Sequence, residues 1–320
     1  MKKRGFSVML MAALFAFVFT AAACAAEWPT KAVQIIVPFK AGGDSDFNAR
    51  AYSKYLEKEL GKPVVVVNIE GAGGSVGATR AKEAKADGYT VFLGDVALAL
   101  NEASGLSNFG YEAFTPGCIC GKNAGEFITV RSDMPVKNVK ELIALTQKEP
   151  NKYKLAANTG ATTHYAASVL RKLGAQFNVV NSGSSAERVA ALQGKHVDVI
   201  INAMGSIGSY VKKGDFKILG NTADVKAKNY PEYPTCKEQG VDLGYTMYYN
   251  FLWPKGTDKE IVKKFNEAVK KVQANPEYQE DIKKAYGQEP FYADGKKALK
   301  MLKADKDKYM AFKDDFSTGK

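Results

Sequence analysis

The sequence predicts an α/β protein assembled from two doubly wound units, and three observations predict it. Short runs rich in Val and Ile alternate with amphipathic segments of helical period. The alternation occurs in two successive series along the chain. Several strand-to-helix junctions carry Gly, Ser or Thr, the chemistry of a tight turn feeding a helix start. Alternating strands and helices imply parallel sheets covered on both faces, and two such units joined by two chain crossings imply a clamshell. Function then belongs in the cleft, beyond the carboxyl ends of the strands.

The first series opens with "VQIIVPF" from Val33, followed by a helix from Asp44 to Leu60 that gathers Phe47, Ala51, Tyr55 or Leu56, and Leu60 on one face. Asp44 or Ser45 is placed to cap its start, and Gly61 ends it. Strand "PVVVVN", a glycine-rich turn, a short helix to Lys85, the turn "ADG" and strand "YTVFLG" complete a β-α-β-α-β unit. The second series follows "FITV": helix "VKELIALTQKEP", strand "YKLAAN", helix "THYAASVLRKLG", strand "FNVVN", helix "SSAERVAALQGK", then strands "VDVIINA" and "FKILGN". The chain passes through "YTMYYNFLWPKGT" and finishes with three helices between Asp258 and Phe312. The crossings are expected near Ile128 and Phe251, giving a first domain of 27–127 plus 252–320 and a second of 128–251.

Ahead of the first strand, Met1, Lys2, Lys3 and Arg4 precede an apolar run to Phe19 and then "TAAACAAE". A basic start, a short apolar core and small residues describe a secretory signal over residues 1–26, cleaved near Ala25 or Ala26. "AAAC" also loosely resembles a lipobox, which would make Cys24 a lipid anchor. The protein is therefore expected in the periplasm. Removing Lys2, Lys3 and Arg4 takes the formal charge from +11 to +8. That charge is dispersed over lysine-rich helix faces such as "KDK", beside acids, and no basic-aromatic motif suggests nucleic acid. Cys118, Cys120 and Cys236 remain after cleavage; an odd number leaves at least one thiol without an internal partner, and none is assigned a function.

Four turns stand at strand-to-helix junctions: "PFKAGGDSD", "IEGAGGSVGA", "NTGATTH" and "NSGSSAE". Any one could be an ordinary capped turn; four facing one cleft point to a site. A phosphate-binding P-loop needs Gly-Lys-Ser/Thr at its end, which all four lack. The dinucleotide fingerprint fails because Gly71, Gly73 and Gly77 are spaced one residue too long. Gly73-Gly74-Ser75-Val76-Gly77 does match a nucleophile elbow, with His164 and His196 downstream, but Ile69 to Gly74 separate Ser75 from its strand. No cluster has metal-ligand spacing, no catalytic residue and no cofactor are assigned, and Asp46 has no second carboxylate at readable distance. What remains is capture of an anion by backbone amides, hydroxyls and helix N-termini.

"WPTKAVQIIVPFKAGGDSDFNAR", "GKPVVVVNIEGAGGSVGA", "ADGYTVFLGD", "NTGATTHYAASVLRKLG", "GSSAERVAALQGKHVDVI" and "FLWPKGTDKEIVKKFNEAVKKV" closely resemble, in order and over nearly the whole mature chain, the Bug-type extracytoplasmic solute receptors of tripartite tricarboxylate transporters. The resemblance implies two Rossmann-like domains in a Venus-flytrap, or type II periplasmic binding protein, arrangement. It implies a non-enzymatic, monomeric receptor that delivers a small organic carboxylate to an integral membrane permease. Mapped onto this chain, the first loop contributes Phe39, Lys40, Ala41, Gly42, Gly43, Ser45 and Asp46, and the second Gly73, Gly74 and Ser75. The second domain contributes Thr159, Gly160, Thr162, Thr163 and His164, with Ser184 and Asn202 beyond them. Gly42 and Gly43 are read as leaving room for amide approach, and Asp46 as bracing the loop.

Three departures bear on the ligand. Where the family often has Val-Pro-Tyr-Lys/Arg-Gly, this chain has Val179-Val180-Asn181-Ser182-Gly183, so a tyrosine and a cation are missing from the cleft wall. Asn202 replaces a frequent aspartate, which argues against an amino-acid ligand. Lys40 returns a positive charge. Two alternatives stay open at this point: a receptor of the same fold docking on a sensor protein, and an esterase using Ser75.

Overall fold

The computed structural model describes residues 28–317, so the expected signal segment and Cys24 lie outside the described residues. Strands β1 (Val33–Val37), β2 (Val64–Asn68) and β3 (Thr90–Gly94) run parallel with β1 between the other two. Val33 and the successive residues Ile35, Ile36 and Val37 are buried, the mark of a strand covered on both faces. Helix α1 (Asp44–Leu60) makes the first crossover and stops at Gly61, whose left-handed backbone (φ +66°) lets its N–H bond Glu57 O. Helices α2 (Ser75–Lys82) and α3 (Ala97–Ala103) follow β2 and β3; the sequence pattern does not anticipate the second of these.

Three further strands complete this sheet: β4 (Phe114–Lys122), β10 (Tyr248–Pro254) and β11 (Ala293–Asp294), in the order β11-β4-β10-β3-β1-β2. β10 is antiparallel to both β3 and β4, so the sheet is mixed rather than purely parallel. β4 escapes a propensity reading because Pro116 and Gly117 interrupt it. The sheet accommodates them at a register shift opposite Phe251 and Leu252.

The second sheet has the order β7-β6-β8-β5-β9, from β5 (Phe127–Arg131), β6 (Lys154–Ala157), β7 (Asn178–Asn181), β8 (Val199–Asn202) and β9 (Phe216–Asn221). β6, β7 and β8 are parallel and β5 is antiparallel to its neighbours β8 and β9. Its helices are α4 (Val139–Lys148), α5 (Thr162–Lys172), α6 (Ser185–Gln193) and α7 (Met204–Lys213). α7 is absent from the sequence expectation because Gly205 and Gly208 lower its propensity and it buries little beyond Ile207.

The chain closes with α8 (Lys259–Ala274), α9 (Pro276–Tyr286), α10 (Gly295–Met310) and the short α11 (Lys313–Ser317). Phe265 of α8 packs edge-on against Phe251 and Trp253 of β10, at 4.9 and 5.0 Å between ring centroids. α10 buries Ala298 and Leu302 against Phe114 and Ile119 of the first sheet. Its far end reaches the second: Tyr309 and Phe312 meet Tyr165 of α5 at 5.0 and 4.9 Å. The chain crosses between sheets at 123–126 and returns through 222–247. These segments are bonded to each other, Asn123 N–H to Met247 O (3.0 Å) and Thr222 N–H to Glu126 O (2.8 Å).

Candidate functional site

A cavity of about 60 Å³ lies between the sheets, beyond the carboxyl ends of β1, β3, β6 and β7. From the first unit, the turn after β1 lines it with Phe39, Lys40, Gly43, Asp44 and Ser45, and the turn after β3 with Asp95 and Ala97. From the second come Asn158, Ala161, Thr162 and Thr163 before and at the start of α5, and Gly183, Ser184, Ser185 and Arg188 around the start of α6. Glu126 and Met247 enter from the two connecting segments. The N-termini of α1, α5 and α6 therefore converge on one space, and each directs unsatisfied N–H groups and partial positive charge toward it.

Arg188 holds the middle of the wall. It is 6% exposed and spends its guanidinium on neutral acceptors: Nε to Asn202 Oδ1 (2.7 Å), Nη1 to Gly183 O (3.0 Å) and Nη2 to Ser185 Oγ (3.2 Å). Asn202 is fully buried and donates to Ser185 O and Ser206 Oγ (3.0 and 3.2 Å), so it is anchored on both sides and fixes the arginine. The cation that "VVNSG" lacks is thus supplied one turn into the next helix. Asn202 acts through Arg188, without lining the cavity itself.

Three carboxylates share the space. Asp44 accepts from Tyr249 Oη (2.7 Å), so it does not cap α1; that position is Gly43, which offers no side-chain oxygen. Asp95 accepts from Ala97 N–H (2.8 Å) and from Ser45 Oγ (3.1 Å). Glu126 accepts from Tyr245 Oη (2.6 Å). Burial pushes the Asp95 carboxyl up to about 6 and that of Glu126 up to about 7, and repulsion by Asp44 adds to both. Burial also raises Asp44, against the opposing bond from Tyr249. Among the described residues, neither these acids nor Arg188 form an ion pair.

The profile model for the tripartite tricarboxylate transporter family receptor matches residues 48–314. The chain belongs to that family. It is 29% identical over 285 residues to a protein of Cupriavidus necator described by its place in the gbd 5' region, covering 88% of this chain and 86% of that one. The solved structure of the periplasmic binding protein BugD superposes with a TM-score of 0.81 at 27% identity, over 90% of this chain and 98% of BugD. MatC from Rhodopseudomonas palustris, solved with bound malate, also gives 0.81, at 20% identity over 89% and 100% of the two chains, and shows the fold alone. This receptor is accordingly a periplasmic solute-binding protein of flytrap fold and not an enzyme.

Of the residues singled out in the receptor's sequence, Phe39, Lys40, Gly43, Ser45, Thr162, Thr163 and Ser184 line the cavity. Asp46 faces away and braces the first loop, accepting from Gly42 N–H (2.9 Å) and Asn68 Nδ2 (3.0 Å) and pairing with Arg50. The left-handed backbone of that loop belongs to Gly42 (φ +88°), whereas Gly43 is extended, so Gly43 matters for the space it leaves. Ala41 lies on the exposed rim beside Gly42.

The second glycine loop seals rather than lines. A Cβ on Gly73 would sit 2.3 Å from Thr159 O and 3.0 Å from Gly160 Cα, so two backbones from opposite units touch there. Asn101 Nδ2 holds Gly73 O at 2.9 Å. Gly74 packs on Pro38 and Phe39, and Ser75 is buried without a hydrogen bond to either histidine. Thr159 is held through Asn181 Oδ1, and His164 Nδ1 accepts from Gly160 N–H (3.2 Å) while its ring meets Phe316 at 5.2 Å. Burial lowers the His164 pKa, with Arg171 adding to the effect. Lys40 bridges the cleft mouth to Glu187 (2.6 Å) and also reaches Glu70 (3.5 Å).

Asp44, Asp95, Glu126 and Arg188 are cavity residues that sequence reasoning did not select. A signal for Asp44 existed, since it is the acid directly after the paired glycines. For the others, a site contact is indistinguishable in sequence from a surface charge on a helix or a strand end.

Proposed function

We propose that this chain captures a small carboxylated solute in the cavity between its two units and hands it to the integral membrane permease of a tripartite tricarboxylate-type transporter. One observation carries the reading: three helix N-termini and the buried Arg188 converge on a single cavity at the strand ends. The Gly43 turn, Thr162, Thr163 and Ser184 are the donors for one carboxylate, while the Ser45 hydroxyl is committed to Asp95. Malate in the flytrap of MatC is in keeping with this chemistry. Export through a signal segment over residues 1–26, with Cys24 as a lipid anchor, belongs to the same reading.

Capture works by closure of the first unit on the second about the connecting segments 123–126 and 222–247, which lie just ahead of the boundaries at 128 and 251 expected from the sequence. The Lys40–Glu187 pair and the Gly73–Thr159 contact support it, because both join the units on the cleft side. The test is a thermal-shift screen of the mature protein over mono-, di- and tricarboxylates, with mass spectrometry of co-purified solute. A saturating solute at about a hundred times its Kd adds roughly 2.7 kcal/mol. Gly43→Val, which puts a side chain into the cavity from a backbone that tolerates it, should abolish the shift while leaving the unliganded melt intact. A shift that survives Gly43→Val would move the site elsewhere.

A further inference from the structure

We propose that the solute carries a protonated amine as well as a carboxylate, so that the receptor selects an amine-bearing acid over its deaminated counterpart; this rests on the cavity being the solute site. The lining holds three acids, Asp44, Asp95 and Glu126, against two cations, Arg188 and Lys40, and Lys40 is already paired with Glu187 at the mouth. Asp95 and Glu126 are 5% and 6% exposed, and the Asp44 carboxylate is turned inward onto Tyr249. Their partners are hydroxyls and an amide, which orient a carboxylate without neutralising it. Buried charge left in that condition is costly unless paired.

Arg188 is the independent observation. It too is nine-tenths buried; Glu126 and Asp44 act on it electrostatically but form no close pair with it, and three of its five N–H groups are accounted for by neutral acceptors. Two N–H groups remain for a carboxylate. A solute bearing carboxylates alone could satisfy Arg188 and the helix N-termini, yet it would add negative charge beside three acids. A solute with an ammonium group offers its cation to Asp44, Asp95 and Glu126 and its carboxylate to the two remaining N–H groups of Arg188. A primary ammonium brings three N–H donors and no acceptor, the complement of an acid-lined wall. The negative charge that Asn202 leaves absent from β8 is present instead on the first unit, as Asp44 and Asp95, and in the connecting segment, as Glu126.

The deciding experiment is calorimetry on the mature protein with matched pairs: aspartate and succinate, glutamate and glutarate, 5-aminovalerate and valerate. At least one amine-bearing member should bind at least tenfold more tightly than its partner. Glu126→Gln keeps the shape and can still accept from Tyr245, and should weaken that member at least tenfold without weakening the deaminated one. Asp44→Asn is the second variant, and unliganded melts of both report folding separately from binding. A deaminated acid that binds as tightly as its amine-bearing partner, or a loss on Glu126→Gln equal for both, overturns the inference while leaving the carboxylate-receptor reading in place. No binding by any member overturns both.

Discussion

Replacing Glu126 with Gln should stabilise the unliganded protein at alkaline pH and flatten its pH profile. The carboxyl rises from 4.5 to about 7, chiefly because burial penalises its charged form and then because Asp44 repels it; the Tyr245 hydroxyl and Arg188 offset only part of this. A raised acid pKa means that the folded chain holds a proton the unfolded chain has released. This contribution to stability is therefore full below 4.5 and is lost as pH rises through about 7. The displacement corresponds to about 3 kcal/mol once the group is fully ionised. Gln removes that cost but exchanges a charge-assisted bond from Tyr245 for a neutral one, a loss of about 1 kcal/mol. The net expectation at about pH 8 is a gain of about 2 kcal/mol, or roughly 5 °C in Tm for a chain of this size. Below about pH 4 the two proteins should melt together, because Glu126 is then protonated in both the folded and the unfolded chain. Calorimetric melts across that range, without ligand, measure the difference directly. Parallel profiles for the two proteins, or a Gln variant less stable at alkaline pH, would refute the account of Glu126 as a buried charge that Arg188 only partly offsets.

Gly73→Val should disable closure, because its Cβ collides with Thr159 O across the cleft, and should also lower the unliganded melt, because a φ of +62° strains a β-branched side chain. Small-angle scattering should show no compaction on adding a solute that compacts the wild type; unchanged compaction would mean the loops close another way. Cys118, Cys120 and Cys236 are free and buried, and burial raises all three thiol pKa values. They should resist a thiol reagent in the native state and react on unfolding, and a reductant should leave Tm unchanged; rapid native labelling would contradict this.

Elements that bury a regular face were legible in the sequence, and those that do not were missed. α1 runs from Asp44 to Leu60 as its apolar spacing and Gly61 dictate. β10 lacked a signal because it is buried on both sides, so its residues do not alternate, and its pairing with β3 and β4 is set by segments far away in sequence. The site divides the same way. Glycine turns announce themselves locally, which is why the loop from Phe39 to Ser45 could be named. Whether a turn lines or seals depends on what lies opposite: Gly73 meets Thr159, and nothing near Gly73 in sequence reports that. Glu126 reads as an ordinary acid before a strand until Tyr245, more than a hundred residues on, supplies its hydroxyl.

The contacts that join the units bear on why a receptor of this design should wait for its solute. The Lys40–Glu187 pair spans the mouth, but both side chains are nearly half exposed, so it adds little to closure and is screened by salt. The Gly73–Thr159 approach is a backbone contact of small area. Against them stand Asp44, Asp95 and Glu126, drawn together with one arginine as the cleft loses water. Closing the empty cleft therefore sets weak attraction against desolvated like charge, and the open form gains. A solute that supplies a cation to the acids and a carboxylate to Arg188 reverses the balance, because its differential affinity for the closed form is what shifts the population. In this arrangement the groups that choose the solute also hold the cleft open without it. Glu126→Gln should thus loosen both properties together: weaker selection for the amine, and a larger closed fraction in the unliganded protein. Scattering of the unliganded variant would test the second, and a radius identical to that of the wild type would separate selection from gating.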